Sequence, residues 1–316
     1  MSPSNLVRFE HPLIVPAAPA RPKKARRHDT QDGRFYFIED SEGHEHKLPS
    51  VTTIAGAINK PALVGWAANQ ERALCIEAAT ALYADAATLP HQLPAAGYQL
   101  SLEQRIGHVK AHTRARDKAA DIGTQTHALI EWTLKQQIGH PVGPEPAVVD
   151  AAQWAFMAWQ DWTKTVDLKP LFIETVVYDL RRSYAGTVDL IALVNGRETV
   201  IDVKTGKKVY GEARLQNVAY RAALVEMGHS DRPPAGLIVR LPKTVDDPAF
   251  EVVEVEAVPA LLPTFLAARV VWDYLDAEDQ AYRKTRRKTK PTTDTEVATV
   301  TVPHHGVTYY HDPFPF

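Results

Sequence analysis

The sequence has very little cysteine. Cys75 is the only cysteine among 316 residues, so the chain cannot form an internal disulfide. One thiolate also cannot build a zinc site or an iron–sulfur cluster that needs several cysteines. These site classes are excluded, and the cysteine count favours a reducing compartment, the cytoplasm.

Long apolar runs are missing as well. None approaches the about 20 residues with which a helix spans a bilayer, so we expect no membrane-spanning helix and no membrane partner. Residues 1–10 lack the apolar core of a secretory signal. The sequence contains no Walker-type phosphate loop, so we expect neither a helicase motor nor a nucleotide cofactor.

The net charge of −2 does not by itself indicate a nucleic-acid partner. The basic residues are nevertheless clustered, over residues 21–27 and over residues 283–290. Either cluster could contact phosphates, and either could be a solvated chain end. Within the second cluster, Arg286, Arg287 and Lys288 are the candidate DNA contacts.

Proline, glycine and apolar spacing divide the chain into four parts. We predict a flexible basic arm over residues 1–30 and a hairpin followed by a helical region over residues 31–118. A core with a closing helix follows over residues 119–283, and then a basic, Thr/Pro-rich tail over residues 284–316. Ser50 is expected to cap a helix, and one helical stretch is expected from residue 102 to residue 137 with a break near Gly123. The order of helices and strands predicts an α/β fold with a mixed central sheet flanked by helices.

Two apolar strands of the predicted core are interrupted by charge. Asp189 interrupts residues 186–193, and Asp202 and Lys204 interrupt residues 200–204. Strand alternation places Asp202 and Lys204 on one face, and the Asn-Gly pair at 195–196 predicts a hairpin that brings the strands together.

Two carboxylates forced close together repel each other and favour a cation between them. Magnesium or manganese with oxygen ligands meets that need, and a lysine on the same face would stabilise negative charge on a reacting phosphate. These are the parts that phosphodiester hydrolysis requires. The alternative is an ordinary surface hairpin with an Asp–Lys ion pair.

Three further features accompany this pair of strands. His127 and Glu131 lie one turn apart on a predicted helix. Glu174 lies in the strand before the one that carries Asp189, and Gln216 lies one helical turn before Tyr220. A helical histidine is often only structural, and Glu174 is either a metal ligand or an ordinary strand glutamate.

The motifs occur in a recognisable order. G-T-x-x-H at 123–127, G-x-x-D at 186–189, D-x-K with a trailing Thr-Gly at 202–206 and Q-x-x-x-Y at 216–220 follow one another. In this order they resemble the RecB-like exonuclease branch of the PD-(D/E)xK nuclease superfamily. The resemblance covers about residues 120–241, although the proline of the superfamily's name is absent before Asp189.

The resemblance implies a restriction-endonuclease-like core at residues 119–283 that binds magnesium or manganese, with two ions. It implies metal ligation by His127, Asp189, Asp202 and the backbone carbonyl of Val203. It implies catalytic roles for Lys204, Asp202, Asp189, Gln216 and Tyr220, of which Gln216 and Tyr220 would also contact DNA. Glu174 is a further candidate catalytic residue from its position in the preceding strand.

The N-terminal region carries a second resemblance. Residues 49–54 and 60–67 look like phage-encoded nucleases and the mitochondrial genome maintenance exonuclease group. There the helices ahead of the core help to form a passage for a single strand; here they could equally just pack on the sheet.

We therefore expect a metal-dependent DNA exonuclease that acts on free, single-stranded ends in replication, recombination or a phage life cycle. Its compartment would be the cytoplasm of a bacterial or phage-infected cell. An endonuclease of the same fold in repair or defence, an RNA nuclease and a non-catalytic DNA-binding protein remain alternatives. His304, His305 and His311 lack carboxylate neighbours at suitable spacing, so we expect no metal site in the tail.

Overall fold

A mixed five-stranded sheet forms the centre of the fold. The structure is a computed structural model, and it describes residues 24–30, 32–58, 60–86, 95–244, 246–247 and 249–289. The chain divides into two compact units, residues 1–273 and residues 274–316. The first unit contains both sheets.

The strands form two sheets. In chain order they are β1 Lys24–Thr30, β2 Gly33–Glu39, β3 Glu45–Pro49, β4 Leu168–Asp179, β5 Tyr184–Val194, β6 Arg197–Lys204, β7 Ala235–Arg240 and β8 Glu251–Glu254. The small sheet has the order β1-β2-β3, and the central sheet has the order β4-β5-β6-β7-β8. Neighbouring strands are antiparallel except β6 and β7, which are parallel.

The described residues form seven helices. They are α1 Val51–Ala55, α2 Pro61–Ala86, α3 Ala95–Ile106, α4 Ala111–Gln137, α5 Asp150–Thr163, α6 Gly211–Glu226 and α7 Val258–Thr289. Helix α6 connects the parallel strands β6 and β7, because such a pair needs a crossover connection.

Each face of the central sheet is covered by helices. On one face, α1, α6 and the start of α7 pack on β4, β5 and β6, with Ile54, Val188, Val200, Leu224 and Phe265 fully buried. On the other face, α4 and α5 pack on β5, β6 and β7, with Leu129, Trp159, Trp162, Leu190 and Ile201 buried. Apolar burial on both faces explains why these strands read as nearly continuous apolar runs. The prediction of an α/β fold with a mixed sheet flanked by helices is confirmed.

Strand β1 occupies residues that were assigned to the flexible arm. It pairs with β2 along its whole length, while residues 1–23 lie outside the described part. All seven residues of β1 are exposed, so the strand has no apolar alternation by which a sequence would reveal it. Its basic side chains form ion pairs with acidic residues of the same sheet. Lys24 pairs with Glu39 at 3.5 Å, and Arg27 pairs with Asp29 at 3.0 Å.

The break in the long helical stretch lies at Gly107 rather than near Gly123. Gly107 has φ +71°, and its N–H donates to the Glu103 carbonyl at 2.8 Å, which ends α3. Gly123 lies inside α4, and a Cβ there would come within 3.2 Å of Thr205 Oγ1. Glycine at this position therefore serves close packing of α4 on the end of β6.

Helix α7 is more apolar than the expected absence of long apolar runs implies. Among the described residues, its segment Val258–Thr285 is the one helix that meets the length and hydropathy requirements of a membrane span. Those requirements concern length and composition alone. Phe265 in this segment is fully buried and packs edge-on against Tyr184 at 5.1 Å, so that part of α7 belongs to the core of the first unit.

Candidate metal centre

Strands β5 and β6 separate where the two aspartates lie. Their backbone pairing ends at Leu190↔Ile201, and β6 continues beside β7. Beyond that point the Val203 N–H donates to Asp189 Oδ2 at 2.8 Å. A side-chain carboxylate thus takes the place of the backbone ladder, and this bond fixes Asp189 against β6.

Glu174 lies across from Asp189 on β4 in an uncommon backbone conformation. The pairing of β4 with β5 skips it, and its φ is +47°. A residue other than glycine in this region costs about 1–3 kcal/mol, and such strain concentrates at functional sites. Each of His127, Glu174 and Asp189 offers a ligand atom, and these atoms lie within 4.8 Å of one another.

Negative charge accumulates around Glu174. Burial raises the pKa of Glu174 from 4.5 to about 7, and the nearby charges of Asp189 and Glu131 raise it further in the same direction. Lys135, which forms an ion pair with Glu131, and Arg27 on β1 oppose this rise. The carboxylate is therefore costly to ionise, and a cation beside it would remove that cost.

His127 reaches the cluster from α4. Leu129, Ile130 and Leu134 anchor this helix in the core beneath the sheet. His127 Nε2 lies 3.1 Å from the Val203 carbonyl oxygen, which can only accept, so Nε2 is the donor. Nδ1 lies 3.6 Å from Asp189 Oδ2. With Nε2 as the donor, Nδ1 and Asp189 Oδ2 both face the cluster with free lone pairs, as two ligands of one cation would.

Asp202 and Lys204 form a buried ion pair beside this cluster. Asp202 is only 2% exposed, and its Oδ1 accepts a hydrogen bond from Lys204 Nζ at 2.8 Å. Oδ2 lies 2.7 Å from the same nitrogen but has no hydrogen-bond geometry with any described group. Burial raises the pKa of Asp202 against the opposing charge of Lys204.

Lys204 remains a cation in this setting. Burial alone would lower the pKa of Lys204, but the carboxylates of Asp202 and Asp189 raise it above its ordinary value. About a third of its side chain is exposed. A charged lysine can stabilise an anion there, whereas it cannot serve as a base.

Gln216 and Tyr220 lie on α6 and are bonded to each other. Gln216 Nε2 donates to the Tyr220 hydroxyl at 2.7 Å. Burial, then the charge of Asp202, raises the pKa of Tyr220 well above its ordinary value, so the phenol stays neutral. A Cβ at Gly186 would lie 2.4 Å from the Tyr220 ring, so the glycine of the G-x-x-D motif makes room for this ring.

A basic pocket opens beside Lys204. Its volume is about 360 Å³, and Lys204 and Gln216 form part of its wall. The other residues that line it are Thr52, Ala55, Gly56, Lys60, Gly206, Lys208, Tyr210, Glu212 and Ala213. Sequence analysis gave Lys208 and Tyr210 no role, although the basic residues that follow the D-x-K motif signalled excess positive charge.

The donor set suits a hard divalent cation. Glu174 and Asp189 supply carboxylate oxygens, and the Val203 carbonyl and His127 imidazole lie beside them. Asp202 lies outside this group of three, and its carboxylate pairs with Lys204. Manganese accepts imidazole together with carboxylates more readily than magnesium does, so Mn²⁺ fits this set at least as well as Mg²⁺.

The basic C-terminal segment belongs to the second compact unit. The backbone of α7 extends to Thr289, so Arg286, Arg287 and Lys288 are helical. Their side chains lie outside the described part, as do His304, His305 and His311 with the whole tail beyond residue 289.

Comparison with known proteins gives no family assignment. No protein-family model matches the chain, and the curated proteins contain no significant match to it.

Proposed function

We propose that this protein is a metal-dependent nuclease that hydrolyses phosphodiester bonds of DNA. The observation that carries the proposal is the convergence of His127, Glu174 and Asp189 within 4.8 Å, beside the buried Asp202–Lys204 pair. Carboxylates, an imidazole and an ammonium are the groups that hydrolysis of a phosphodiester needs at one place.

Each group has a distinct role in this proposal. Asp189, Glu174 and His127 hold Mg²⁺ or Mn²⁺, with Asp202 and the Val203 carbonyl as the further ligands. A bound ion would polarise the phosphodiester and offset its developing negative charge. Lys204 places its ammonium against a phosphate oxygen. Tyr220, fixed by Gln216, keeps the Asp202–Lys204 pair in position.

The arrangement also supports a restriction-endonuclease-like core. The carboxylates come from adjacent strands of a mixed sheet, at the point where those strands separate. The four motifs that resemble the RecB-like branch all lie on elements around this point, on α4, β5, β6 and α6. A non-catalytic binding protein would not need this complete set of carboxylates, imidazole and ammonium. Its presence therefore favours an enzyme.

We further propose that the enzyme acts on free single-stranded ends. The pocket beside Lys204 is small and basic, which favours one strand over a duplex. An endonuclease is the second candidate, since it would use the same charged set.

The test is cleavage of end-labelled linear DNA and closed circular single-stranded DNA, with Mg²⁺, with Mn²⁺ and with EDTA. Degradation of linear DNA alone, abolished by EDTA, supports the proposal. Rapid cutting of circles identifies an endonuclease, and a parallel RNA substrate distinguishes the two nucleic acids. Binding of DNA without cleavage under every metal condition would indicate a non-catalytic DNA-binding protein.

A further inference from the structure

The pocket beside Lys204 has two properties that the hydrolytic groups do not explain. It contains an exposed aromatic ring, Tyr210, which is 52% exposed at the start of α6. It also contains Lys208, whose Nζ lies 5.2 Å from the centre of that ring. Exposure of a large ring beside a cation is a feature of surfaces that bind nucleotides.

Positive charges outnumber negative charges among the residues that line the pocket. Lys60 pairs with Glu212 at 3.2 Å, and Lys204 pairs with Asp202. Among the described residues, Lys208 has no carboxylate within ion-pairing distance, and its ammonium contacts the Tyr210 ring instead. Lys208 is thus a cation of this pocket that can pair with an incoming anion without giving up a carboxylate partner.

The size of the pocket limits what can enter. A volume of about 360 Å³ lies at the lower end of the range of about 300–1,000 Å³ that small-molecule sites occupy. A pocket of this size suits one small ligand, such as a single nucleotide. Gly206 also lines the pocket, beside the Tyr210 ring.

We propose that this pocket binds one unpaired nucleotide next to the phosphate that Lys204 contacts, with its base stacked on Tyr210 and its phosphate paired with Lys208. The assignment rests on the proposed nuclease function, because Lys204 and Gln216 belong both to the pocket wall and to the hydrolytic site. It makes Tyr210 and Lys208 substrate-binding residues that favour single-stranded ends.

The experiment measures binding and base stacking separately from cleavage. A single-stranded oligodeoxynucleotide that carries 2-aminopurine near its end is titrated with protein in EDTA. Wild type should quench the fluorescence. Tyr210→Phe keeps the ring and should behave like wild type. Tyr210→Ala should weaken binding by roughly five- to a hundredfold and lose the quenching.

Matched controls separate these effects from general surface changes. Tyr83 is a 75% exposed tyrosine on α2 outside the pocket, and Tyr83→Ala should leave binding and quenching unchanged. Lys208→Gln should lower the salt dependence of binding by about one counterion. Lys169→Gln, on an exposed lysine of β4, should not. All four positions are exposed, and circular dichroism confirms that each variant is folded.

The outcomes distinguish this assignment from the nuclease proposal. If Tyr210→Ala binds and quenches like wild type while metal-dependent cleavage occurs, the pocket assignment is overturned and the nuclease stands. If wild type quenches and Tyr210→Ala does not, but no metal supports cleavage, the nucleotide pocket stands and hydrolysis fails. Failure of wild type to bind any oligonucleotide overturns both.

Discussion

Replacing Glu174 with glutamine tests whether the carboxylate cluster is unstable without a cation. The pKa of Glu174 is raised from 4.5 to about 7, first by burial and then by Asp189 and Glu131. A carboxyl with a raised pKa in the folded state contributes stability below its unfolded pKa, and that contribution is lost as the pH rises through the folded pKa. The folded protein therefore loses stability between about pH 4.5 and 7 through this group.

The size of the effect follows from the two pKa values. At about 1.4 kcal/mol per pH unit, their difference corresponds to about 3 kcal/mol. Partial contact of Glu174 with solvent reduces this to roughly 1–2 kcal/mol. Glutamine carries no charge at any pH, so Glu174→Gln should be more stable than wild type by that amount at about pH 8, and the gain should shrink towards about pH 5.

Urea unfolding in EDTA at these two pH values measures the difference. Glu145→Gln, on an exposed glutamate outside the site, is the control and should show no gain. Added Mn²⁺ should then stabilise wild type more than Glu174→Gln, because the ion offsets the charge that the variant lacks. A variant that is less stable than wild type at about pH 8, or a gain that does not change with pH, would refute the reasoning.

Three further predictions concern chemistry, packing and DNA affinity. Lys204→Ala should keep metal binding in calorimetry but lose about 10²–10³-fold in single-turnover cleavage, whereas Asp202→Asn should lose metal affinity as well. Gly186→Ala should destabilise the protein by about 1–3 kcal/mol in urea unfolding, because its Cβ would lie 2.4 Å from an aromatic ring of α6. Gly143→Ala, in open space, is the packing control. Neutralising the basic segment 283–290 should lower DNA affinity and its salt dependence, and an unchanged salt slope in a binding titration would make the segment a solvated helix end.

Local sequence signals predicted much of the core. The Asn195-Gly196 turn has positive φ at both residues, as its tight hairpin requires. Ser50 caps α1 by accepting from the Thr53 N–H at 2.9 Å. Alternation on β6 correctly placed Asp202 and Lys204 on one face, where they form their ion pair. In each case the interactions that decide the structure join residues close together in the sequence.

Long-range pairing was harder to predict. Strand β1 is held by β2 and by ion pairs, and no apolar pattern marks it. The sequence of neither strand shows where the β5–β6 pairing ends. That end allows the Asp189 carboxylate to accept a hydrogen bond from the Val203 N–H. The same holds for Glu174. Its φ is positive where the pairing of β4 with β5 is interrupted, and the sequence of β4 is that of an ordinary strand. The strained conformation of Glu174 therefore could not be predicted from the sequence.

The central claim is that the cluster of His127, Glu174 and Asp189 binds a metal ion for phosphodiester hydrolysis. The most direct measurement is single-turnover cleavage of end-labelled linear single-stranded DNA with Mn²⁺, by wild type and by Asp189→Asn. We predict cleavage by wild type that EDTA abolishes, and a loss of metal affinity together with activity in Asp189→Asn. Cleavage that persists after complete chelation, or an Asp189→Asn variant as active as wild type, would contradict the account.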